Sequence, residues 1–167
     1  ARISCLDTGF VRSDLTYDVV AVWEGGFFRL DDHLDRLELG CREIRLRPPL
    51  SRDRMHEILM ATVARSGLRD AYVSMIVTRG IPAPGVRDPR MLEPRFYAYA
   101  VPYVWILPPE KQKVGANLVI ARGVRRIPPD AINPTVKNFQ WGDFIRGQFE
   151  AYDRGGELAL LTDGEGN

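Results

Sequence analysis

Strand-forming residues in the first part of the chain predict a β-hairpin. Residues 16–30 read TYDVVAVWEGGFFRL, with β-branched and aromatic residues on both sides of Glu24-Gly25-Gly26. Two such runs joined by a short turn that contains glycine are typical of paired antiparallel strands. The segment is therefore predicted to form two strands and a tight turn.

Two helices are predicted after the hairpin. Asp31 or Asp32 is a candidate N-cap for a helix that continues to about Leu46, before a double proline. The residues at helical spacing on its apolar face are Leu34, Leu37, Cys41 and Ile44. Ser51 is a candidate N-cap for a second helix, which is predicted to end at Gly67. Its inward residues are Met55, Ile58, Leu59 and Val63.

Two further strands are predicted on either side of a long loop. They are residues 71–78 and 96–107, separated by RGIPAPGVRDPRMLEP. A connection of this length without periodicity is more often a functional loop than a simple turn. The sequence LPPEKQKVG then predicts a linker between domains. The predicted organisation is a small α/β domain over residues 1–108, a linker over 109–116 and the beginning of a second domain over 117–167.

The second domain is predicted from short elements. NLVIA and LALLTD are predicted strands, and a helix is predicted between them from Trp141 to about Arg154. The residues along the apolar side of this helix are Phe144, Ile145, Gln148, Phe149 and Tyr152. Two strands and one helix do not easily bury a core alone, so this region is expected to dock on the first domain or to belong to a longer chain.

Composition and charge argue against several classes of function. Lys plus Arg is 23 and Asp plus Glu is 22, so the net charge of +1 gives no long-range field to attract nucleic acid or an anionic membrane. The two cysteines and two histidines form no zinc-binding pattern, and they suit a reducing compartment. No apolar run reaches the roughly 20 residues that span a bilayer, and ARISCLDTGF has no signal-peptide pattern. We therefore expect a soluble, cytoplasmic protein without a metal site.

The chain has three lysines against twenty arginines, and one lysine has an unusual context. Lys137 lies in NPTVKNFQW, between Val136 and the aromatic residues Phe139 and Trp141, so its amine is expected near apolar surface. Desolvation favours a neutral amine, which is the nucleophile that Schiff-base chemistry requires, whereas an arginine stays protonated. The structural alternative is a lysine that extends past Trp141 or pairs with Asp143.

Three separated motifs make the chain similar to a known family. NPTVKNFQWGD, RSDLTYDVVAVWEGGFFRLDDHLDRL and VSMIVTRG together resemble the class IV, or fold-type IV, pyridoxal-phosphate-dependent aminotransferases, and most closely their (R)-selective amine transaminases. The resemblance implies an α+β fold, with a small N-terminal α/β domain followed by the start of a larger β-barrel-like domain. It also implies pyridoxal 5'-phosphate as cofactor and a homodimer with shared active sites.

The resemblance further implies that an amino group moves from a primary amine, (R)-configured, to a keto acid such as pyruvate. Lys137 would form the Schiff base with the cofactor and then transfer a proton between substrate and cofactor. Arg36, in HLDRL, would bind the cofactor phosphate, because a planar guanidinium can contact two phosphate oxygens. The alternative for Arg36 is a surface ion pair with Asp32.

Further residues match the substrate pocket of the family. Tyr17 and Tyr72 match positions that line it, and Trp141 is expected beside the cofactor or the entrance; core packing is the alternative for all three. Arg87 matches a mobile loop arginine that can pair with the carboxylate of a keto acid. Because the loop is slightly longer than the family pattern, Arg90 is a competing candidate.

The chain departs from the family pattern at three places. Arg12 stands where the amine transaminases carry histidine, and Ser74 replaces an acidic residue. A fixed arginine at the pocket favours substrates with a carboxylate, such as D-amino acids. The segment that in the family follows DGEGN, with the glutamate for the pyridine nitrogen and part of the phosphate cup, is not in the sequence. An opening strand is also expected upstream, so we expect a fragment of a longer enzyme.

Other functions are compatible with the same residues. A D-amino-acid or branched-chain aminotransferase and an aminodeoxychorismate-lyase-like enzyme share the fold that the resemblance implies. A non-catalytic fragment that serves dimerisation or ligand binding is the alternative from another class.

Overall fold

The computed structural model describes residues 2–167, in which no helix is both long enough and apolar enough to cross a bilayer. The helices are α1 (Thr8–Arg12), α2 (Leu30–Glu43), α3 (Arg52–Ser66), α4 (Lys111–Val114) and α5 (Gly142–Asp153). The strands are β1 (Leu15–Trp23), β2 (Gly26–Phe27), β3 (Ala71–Thr78), β4 (Arg95–Pro102), β5 (Leu118–Ile120) and β6 (Leu158–Leu160), and a 3-10 turn covers Pro89–Met91.

Backbone packing divides the chain into two compact units. The first comprises the residues up to Val104 together with Thr135–Phe139, and the second comprises Trp105–Pro134 and Gln140–Asn167. Lys137 therefore belongs to the first unit, although it lies far along the chain. The domain limits that the sequence suggested stay a prediction, and the expected linker contains helix α4.

A four-stranded antiparallel sheet with the order β2-β1-β3-β4 forms the first unit. The predicted hairpin is confirmed, because Trp23 pairs with Gly26 across a turn of Glu24 and Gly25. Both turn residues have positive φ, 50° and 87°, as in the type I′ turn that suits the twist of a hairpin. Strand β2 pairs only with Val22 and Trp23, which leaves the rest of that edge of β1 open to another segment.

Strand β3 has the predicted limits, whereas β4 is shorter than the predicted residues 96–107. It begins at Arg95 and ends at Pro102, which pairs with Ala71. Ala71 is the first residue of β3, so no partner residue of β3 remains for the chain beyond Pro102.

The predicted N-cap of α2 is wrong. Arg29 occupies the N-cap position with a left-handed backbone and makes no capping bond with its side chain, while Asp31 and Asp32 lie in the first helical turn. The hairpin leads directly into the helix, so the helix begins before either aspartate. Their negative charges still favour the positive end of the helix dipole.

Helix α2 also ends earlier than predicted, at Glu43 rather than near Leu46. The amide groups of Arg45 and Leu46 donate to the carbonyls of Arg42 and Cys41 at 3.0 and 2.8 Å, and Arg45 has a φ of 52°. This pair of bonds is a Schellman motif, which ends a helix at a left-handed residue. An arginine has taken the position that glycine usually occupies.

The core of the first unit lies between one face of the sheet and helices α2 and α3. As predicted, Ser51 is the N-cap of helix α3, where its side chain accepts from the Arg54 amide, and left-handed Gly67 is the C-cap. The predicted inward residues that are buried are Leu34, Leu37, Cys41, Met55, Leu59 and Val63, whereas Ile44 and Ile58 are partly buried. The sheet residues that they meet are Val20, Val22, Ala71, Val73, Met75 and Val77.

The second unit contains strands β5 and β6, paired in parallel, with helix α5 between them in the chain. The predicted elements are present, but the apolar side of α5 is not its buried side. Phe149 is 64% exposed, and the buried residues of the helix are Asp143, Gly147 and Ala151. A Cβ at Gly147 would lie 2.5 Å from Cδ2 of Leu161, so close packing selects the smallest residues of the helix.

Candidate active site

Lys137 is attached through its backbone to strand β1. Its carbonyl oxygen accepts hydrogen bonds from Oγ1 of Thr16 at 2.9 Å and from the amide of Tyr17 at 3.1 Å. Because β2 covers only one end of β1, the segment Thr135–Phe139 occupies the open part of this edge. Two donors on one carbonyl fix the point at which the lysine side chain leaves the backbone.

The hydroxyl of Thr16 lies close to Gly40 of helix α2. Thr16 is 1% exposed, and a Cβ at Gly40 would lie only 2.6 Å from its Oγ1. Glycine at this position allows the helix to approach the strand without displacing the hydroxyl. Gly40 therefore leaves room for the hydroxyl that bonds the Lys137 carbonyl.

The amine of Lys137 lies against an aromatic ring. Its Nζ is 4.6 Å from the ring centroid of Tyr17, which is a cation–π distance. Tyr17 is 5% exposed, and its ring also packs against Phe139 with a centroid separation of 4.6 Å. Asp143, the alternative partner of the lysine, forms its ion pair with Arg126. The lysine is thus in contact with aromatic surface, as expected.

Arg36 pairs with Asp18 and not with Asp32. Its Nε and Nη2 donate to the two carboxylate oxygens of Asp18 at 2.5 and 2.8 Å, whereas Asp32 pairs with Arg29. The Asp18 side chain is fully buried and that of Arg36 is 53% exposed. The hydrogen bond to Asp18 raises the pKa of Arg36 despite its partial burial. The surface ion pair with Asp32 is therefore wrong, and the role of Arg36 at a phosphate stays a prediction.

Asp18 is not among the residues predicted from the sequence. Besides Arg36 it accepts hydrogen bonds from the amide of Val19 at 2.6 Å and from Nδ1 of His33 at 2.8 Å, where the carboxylate makes Nδ1 the donor. The sequence did contain a signal, because Asp18 is two residues before Val20 and alternate residues of a strand share a face. A carboxylate on a buried face requires hydrogen-bond partners.

Tyr17 and Tyr72 lie on one face of the sheet. Tyr17 pairs with Ile76, which is four residues from Tyr72, and alternate residues of a strand share a face. Burial raises the pKa of Tyr72, with smaller contributions from Tyr99 and Tyr17. Ser74 lies on the same face and is 1% exposed. A role of these residues in substrate binding stays a prediction.

A second buried carboxylate belongs to this face. Asp7 is fully buried and accepts from Oγ1 of Thr78 at 3.0 Å and from the hydroxyl of Tyr97 at 2.9 Å. It also caps helix α1 through the amide of Gly9 at 2.8 Å. Burial and the bond to Asp7 raise the pKa of Tyr97. Neither residue was predicted, although an aspartate before a short helix indicates a cap.

The arginines proposed for carboxylate binding are all exposed. Arg12 lies in the last turn of α1, and Arg90 pairs with Asp88 at 2.6 Å. The Arg87 side chain is exposed as well. Their roles at the substrate stay predictions.

Trp141 belongs to the second unit and is 50% exposed. Its ring meets the edge of Phe144 with a centroid separation of 5.8 Å. The guanidinium of Arg126 lies 4.2 Å from the Phe144 centroid and donates to the buried Asp143, which also accepts from the amides of Ile127 and Phe144. The role of Trp141 beside the cofactor stays a prediction.

The architecture defines an α+β protein of fold type IV, with a lysine fixed at the open edge of its sheet. The family pattern described as "Amino-transferase class IV" matches residues 15–167. The chain therefore belongs to the class IV aminotransferases, a family of pyridoxal-phosphate enzymes.

Two relatives of the chain carry amino-acid aminotransferase names. A "Putative branched-chain-amino-acid aminotransferase" of Methanocaldococcus jannaschii is 30% identical over 99% of the chain and 56% of that protein. A "D-alanine aminotransferase" of Listeria monocytogenes is 33% identical over 50% of the chain and 29% of that protein. The chain thus spans about half the length of the first of these relatives, and less of the second.

Solved structures share the fold. The branched-chain aminotransferase of Escherichia coli superposes with a TM-score of 0.88 at 18% identity, over 99% of the chain and 56% of that structure. The branched-chain aminotransferase of the archaeon Thermoproteus uzoniensis, solved with norvaline, gives a TM-score of 0.83 at 22% identity, over 99% of the chain and 56% of that structure.

The residues of the first unit fit a pyridoxal phosphate group. Its aldehyde requires an amine, which Lys137 provides, and its phosphate requires charged donors, of which Arg36 keeps several beyond those on Asp18. In residues 2–167 no group of three or more His, Cys, Asp or Glu side chains could hold a metal ion.

Proposed function

We propose that the protein is a pyridoxal-phosphate-dependent transaminase in which Lys137 holds the cofactor and transfers the proton. The placement of Lys137 supports this most directly, because two donors from β1 hold its carbonyl and its amine lies on the Tyr17 ring. A surface lysine needs neither constraint. Membership of the class IV aminotransferases supports the same function.

A lysine suits this function because its amine can exist in the neutral form. A neutral amine adds to an aldehyde and later accepts and returns a proton, which a guanidinium cannot do. Bound pyridoxal phosphate supplies a ring that withdraws electrons from the carbon that carries the amino group. The two donors to the Lys137 carbonyl fix the backbone position from which this amine extends.

Tyr17 has two tasks in this proposal. Its amide holds the carbonyl of Lys137, and its ring covers one side of the amine. The electron-rich face of the ring attracts the protonated amine, and its area excludes water from that side. Tyr17 thus acts on the backbone of Lys137 through its amide and on the side chain of Lys137 through its ring.

The first candidate for the amino donor is a primary amine of (R) configuration, with a keto acid such as pyruvate as acceptor. The motifs around Tyr17 and Lys137 support it through their resemblance to the (R)-selective amine transaminases, whereas Ser74 departs from that pattern. The second candidate is an amino-acid donor, which is favoured by the branched-chain and D-alanine aminotransferase names of the relatives. The exposed Arg12 and Arg87 are candidates to bind a substrate carboxylate in that case.

A panel of amino donors separates the two candidates. The complete protein loaded with pyridoxal phosphate is mixed with (R)-1-phenylethylamine, D-alanine or leucine without any keto acid, and the ketone or keto acid that each donor leaves after giving its amino group to the cofactor is quantified. A preference for (R)-1-phenylethylamine supports the first candidate. A preference for D-alanine or leucine replaces it with the second.

The role of Lys137 is tested by trapping. Borohydride reduction of the complete protein with pyridoxal phosphate should attach the pyridoxyl group to the peptide that contains Lys137, as measured by mass spectrometry. Lys137→Ala should lose both the label and activity, whereas Lys113→Ala, which changes a surface lysine, should keep both. A Lys137→Ala protein that retains activity would contradict the proposal.

The proposal includes a homodimer with shared active sites in the cytoplasm. The resemblance to the family supports the dimer, and the two cysteines, which form no disulfide within residues 2–167, suit a reducing compartment. Light scattering of the complete protein tests the dimer, and a monomer with full activity would contradict it.

A further inference from the structure

We propose that Asp18 is a positioning residue that holds the Arg36 guanidinium ready for a phosphate group. This inference rests on the proposed function, because it assigns the phosphate to pyridoxal phosphate. Asp18 does not touch the cofactor in this proposal and acts only through Arg36.

The first support is the way in which Asp18 is fixed. Its side chain is fully buried, and both of its oxygens are occupied. Oδ1 accepts from the Val19 amide, from Nδ1 of His33 and from Nη2 of Arg36, and Oδ2 accepts from Nε of Arg36. A carboxylate held by its own backbone neighbour and by two side chains has one orientation available.

The second support is the edge of Arg36 that Asp18 uses. A guanidinium has five N–H donors in one plane, and the bonds from Nε and Nη2 occupy its lateral edge. The remaining donors are the two N–H groups of Nη1 and one of Nη2, which together form the end of the fork. That end matches two oxygens of a phosphate. Asp18 therefore orients the guanidinium without consuming the donors that a phosphate needs.

The third support is exposure. Arg36 is 53% exposed although its partner is fully buried, and Asp18 is the only residue within residues 2–167 that the guanidinium contacts through an ion pair or hydrogen bond. A long side chain normally loses rotamer entropy when it binds an anion. Here the bond to Asp18 has already restricted the rotamer, so less entropy is lost on binding.

The neighbouring residues join this arrangement to the lysine. Thr16 and Tyr17 hold the carbonyl of Lys137, and the next residue in the strand, Asp18, holds Arg36. Three consecutive residues of β1 thus anchor the two groups that the proposed function assigns to the aldehyde and to the phosphate. A substitution of Asp18 is expected to weaken binding of the cofactor phosphate by Arg36 and to leave Lys137 unaffected.

The test compares two ligands that differ only in the phosphate. Dissociation constants of pyridoxal phosphate and of pyridoxal are measured by absorbance for the complete protein and its variants. Asp18→Asn should weaken pyridoxal phosphate roughly tenfold and leave pyridoxal within about twofold, because an amide can hold only one of the two N–H groups of the edge. Arg36→Gln should reduce the preference at least as much, and the double variant should be no worse than Arg36→Gln.

Asp14→Asn provides the matched control. Asp14 also pairs with an arginine in the first unit, through Nε of Arg79 at 2.7 Å. This variant loses an aspartate–arginine bond of similar length, and its ratio of the two dissociation constants should equal that of the wild type. A purely structural role of Asp18 predicts that Asp18→Asn weakens both ligands equally, and that result would overturn the inference.

The outcomes distinguish the inference from the proposed function. A preference for pyridoxal phosphate that Arg36→Gln removes but Asp18→Asn preserves overturns the inference alone. A wild-type protein that binds both ligands equally overturns the phosphate site and the inference together. If Asp18→Asn does not fold, ¹⁵N relaxation of the Arg36 Nε–H group in the wild type decides: an ordered group with and without cofactor supports the inference, and a mobile group without cofactor overturns it.

Discussion

Each unit of the chain contains one buried aspartate that is held by an arginine, and the two arginines have different surroundings. In the first unit, Asp18 occupies the lateral edge of Arg36, which is otherwise half exposed. In the second unit, Asp143 bonds to Nη1 of Arg126, whose guanidinium also lies over the ring of Phe144. The side chain of Arg126 is 30% exposed, so the protein covers more of it.

If Arg36 binds a phosphate as proposed, pairing with a buried aspartate does not by itself distinguish a structural arginine from a binding one. The distinguishing property is the part of the guanidinium that remains available for a ligand once the aspartate is bound. Arg126 uses its face on Phe144 and one end on Asp143, which suits a structural contact. Arg36 keeps the end of its fork, which suits a ligand with two oxygens.

The largest expected effect is on stability when either arginine is removed. Arg36→Ala leaves Asp18 with the Val19 amide and His33 as donors, but its carboxylate has no contact with water, so the free energy of unfolding should fall by about 3 kcal/mol. Arg126→Ala should lower it by about 2 kcal/mol, because Asp143 retains two backbone donors and some contact with water. Urea unfolding of the complete protein measures both.

A double variant serves as the control for this comparison. Adding Asp18→Asn to Arg36→Ala removes the unpaired charge and should recover part of the lost stability. If the double variant is less stable than Arg36→Ala, the buried charge is not the cause of the loss.

Acid should weaken the contribution of the Asp143–Arg126 pair to the stability of the fold. Burial raises the pKa of Asp143, but the bonds from the Ile127 amide, Arg126 and the Phe144 amide outweigh it and lower the pKa below its ordinary value. The folded state therefore keeps the carboxylate ionised where the unfolded chain binds a proton, so the stabilisation is present above the ordinary pKa and is lost as the pH falls through the lowered one.

The corresponding variant is Asp143→Asn. It should lower the free energy of unfolding by about 2 kcal/mol at neutral pH. This gap in stability between variant and wild type should narrow as the pH falls below about 4. Urea titrations at several pH values measure this gap, and a gap that does not change with pH would contradict the assignment. The ratio of dissociation constants for pyridoxal phosphate and pyridoxal should not change, in contrast to Asp18→Asn.

A smaller effect on stability and activity is expected from Thr16, which together with the Tyr17 amide holds the Lys137 carbonyl. Thr16→Val removes one of the two donors to the lysine carbonyl and should lower the free energy of unfolding by about 1 kcal/mol. A loss of similar size in the transition state would lower kcat about fivefold. Thr16→Ser keeps the hydroxyl donor, so most of the stability and most of kcat should be retained.

Thr62→Val is the matched control for Thr16→Val, because the Thr62 hydroxyl also donates to a backbone carbonyl, that of Ile58. It should leave kcat unchanged. An equal loss of kcat in the two variants would show that the effect of Thr16 on activity is general rather than local to Lys137.

The smallest effect is expected from Phe144→Leu. It removes the ring under Arg126 and should lower the free energy of unfolding by about 0.5–1 kcal/mol. Thermal unfolding measures the change, and unchanged binding of pyridoxal phosphate would support a structural role of the second pair.

The parts of the fold that local patterns determine could be predicted from the sequence. Strand β3 has its predicted limits, and α3 lies between the predicted Ser51 cap and Gly67, because alternation and capping involve only neighbouring residues. The start of α2 and the buried side of α5 could not be predicted in this way. The first depends on the path of the chain out of β2, and the second on the close approach of Gly147 to Leu161.

The candidate site divides in the same manner. Lys137 and Arg36 are evident from residue type and motif, because an isolated lysine and an arginine in HLDRL carry their own chemistry. The bond from Thr16 to Lys137 joins residues 121 positions apart, and only the three-dimensional path of the chain produces it. Asp18 was missed because its proposed role depends on its bond to Arg36, a helix residue 18 positions further along.

Gly40 has a consequence for anyone who redesigns this chain. Its missing side chain leaves the space into which Oγ1 of Thr16 projects. A helix-stabilising Gly40→Ala change, which helix propensity recommends, would press a methyl group against that oxygen. Gly40 is therefore a position to keep constant in a library of variants, although it lies in the interior of a helix.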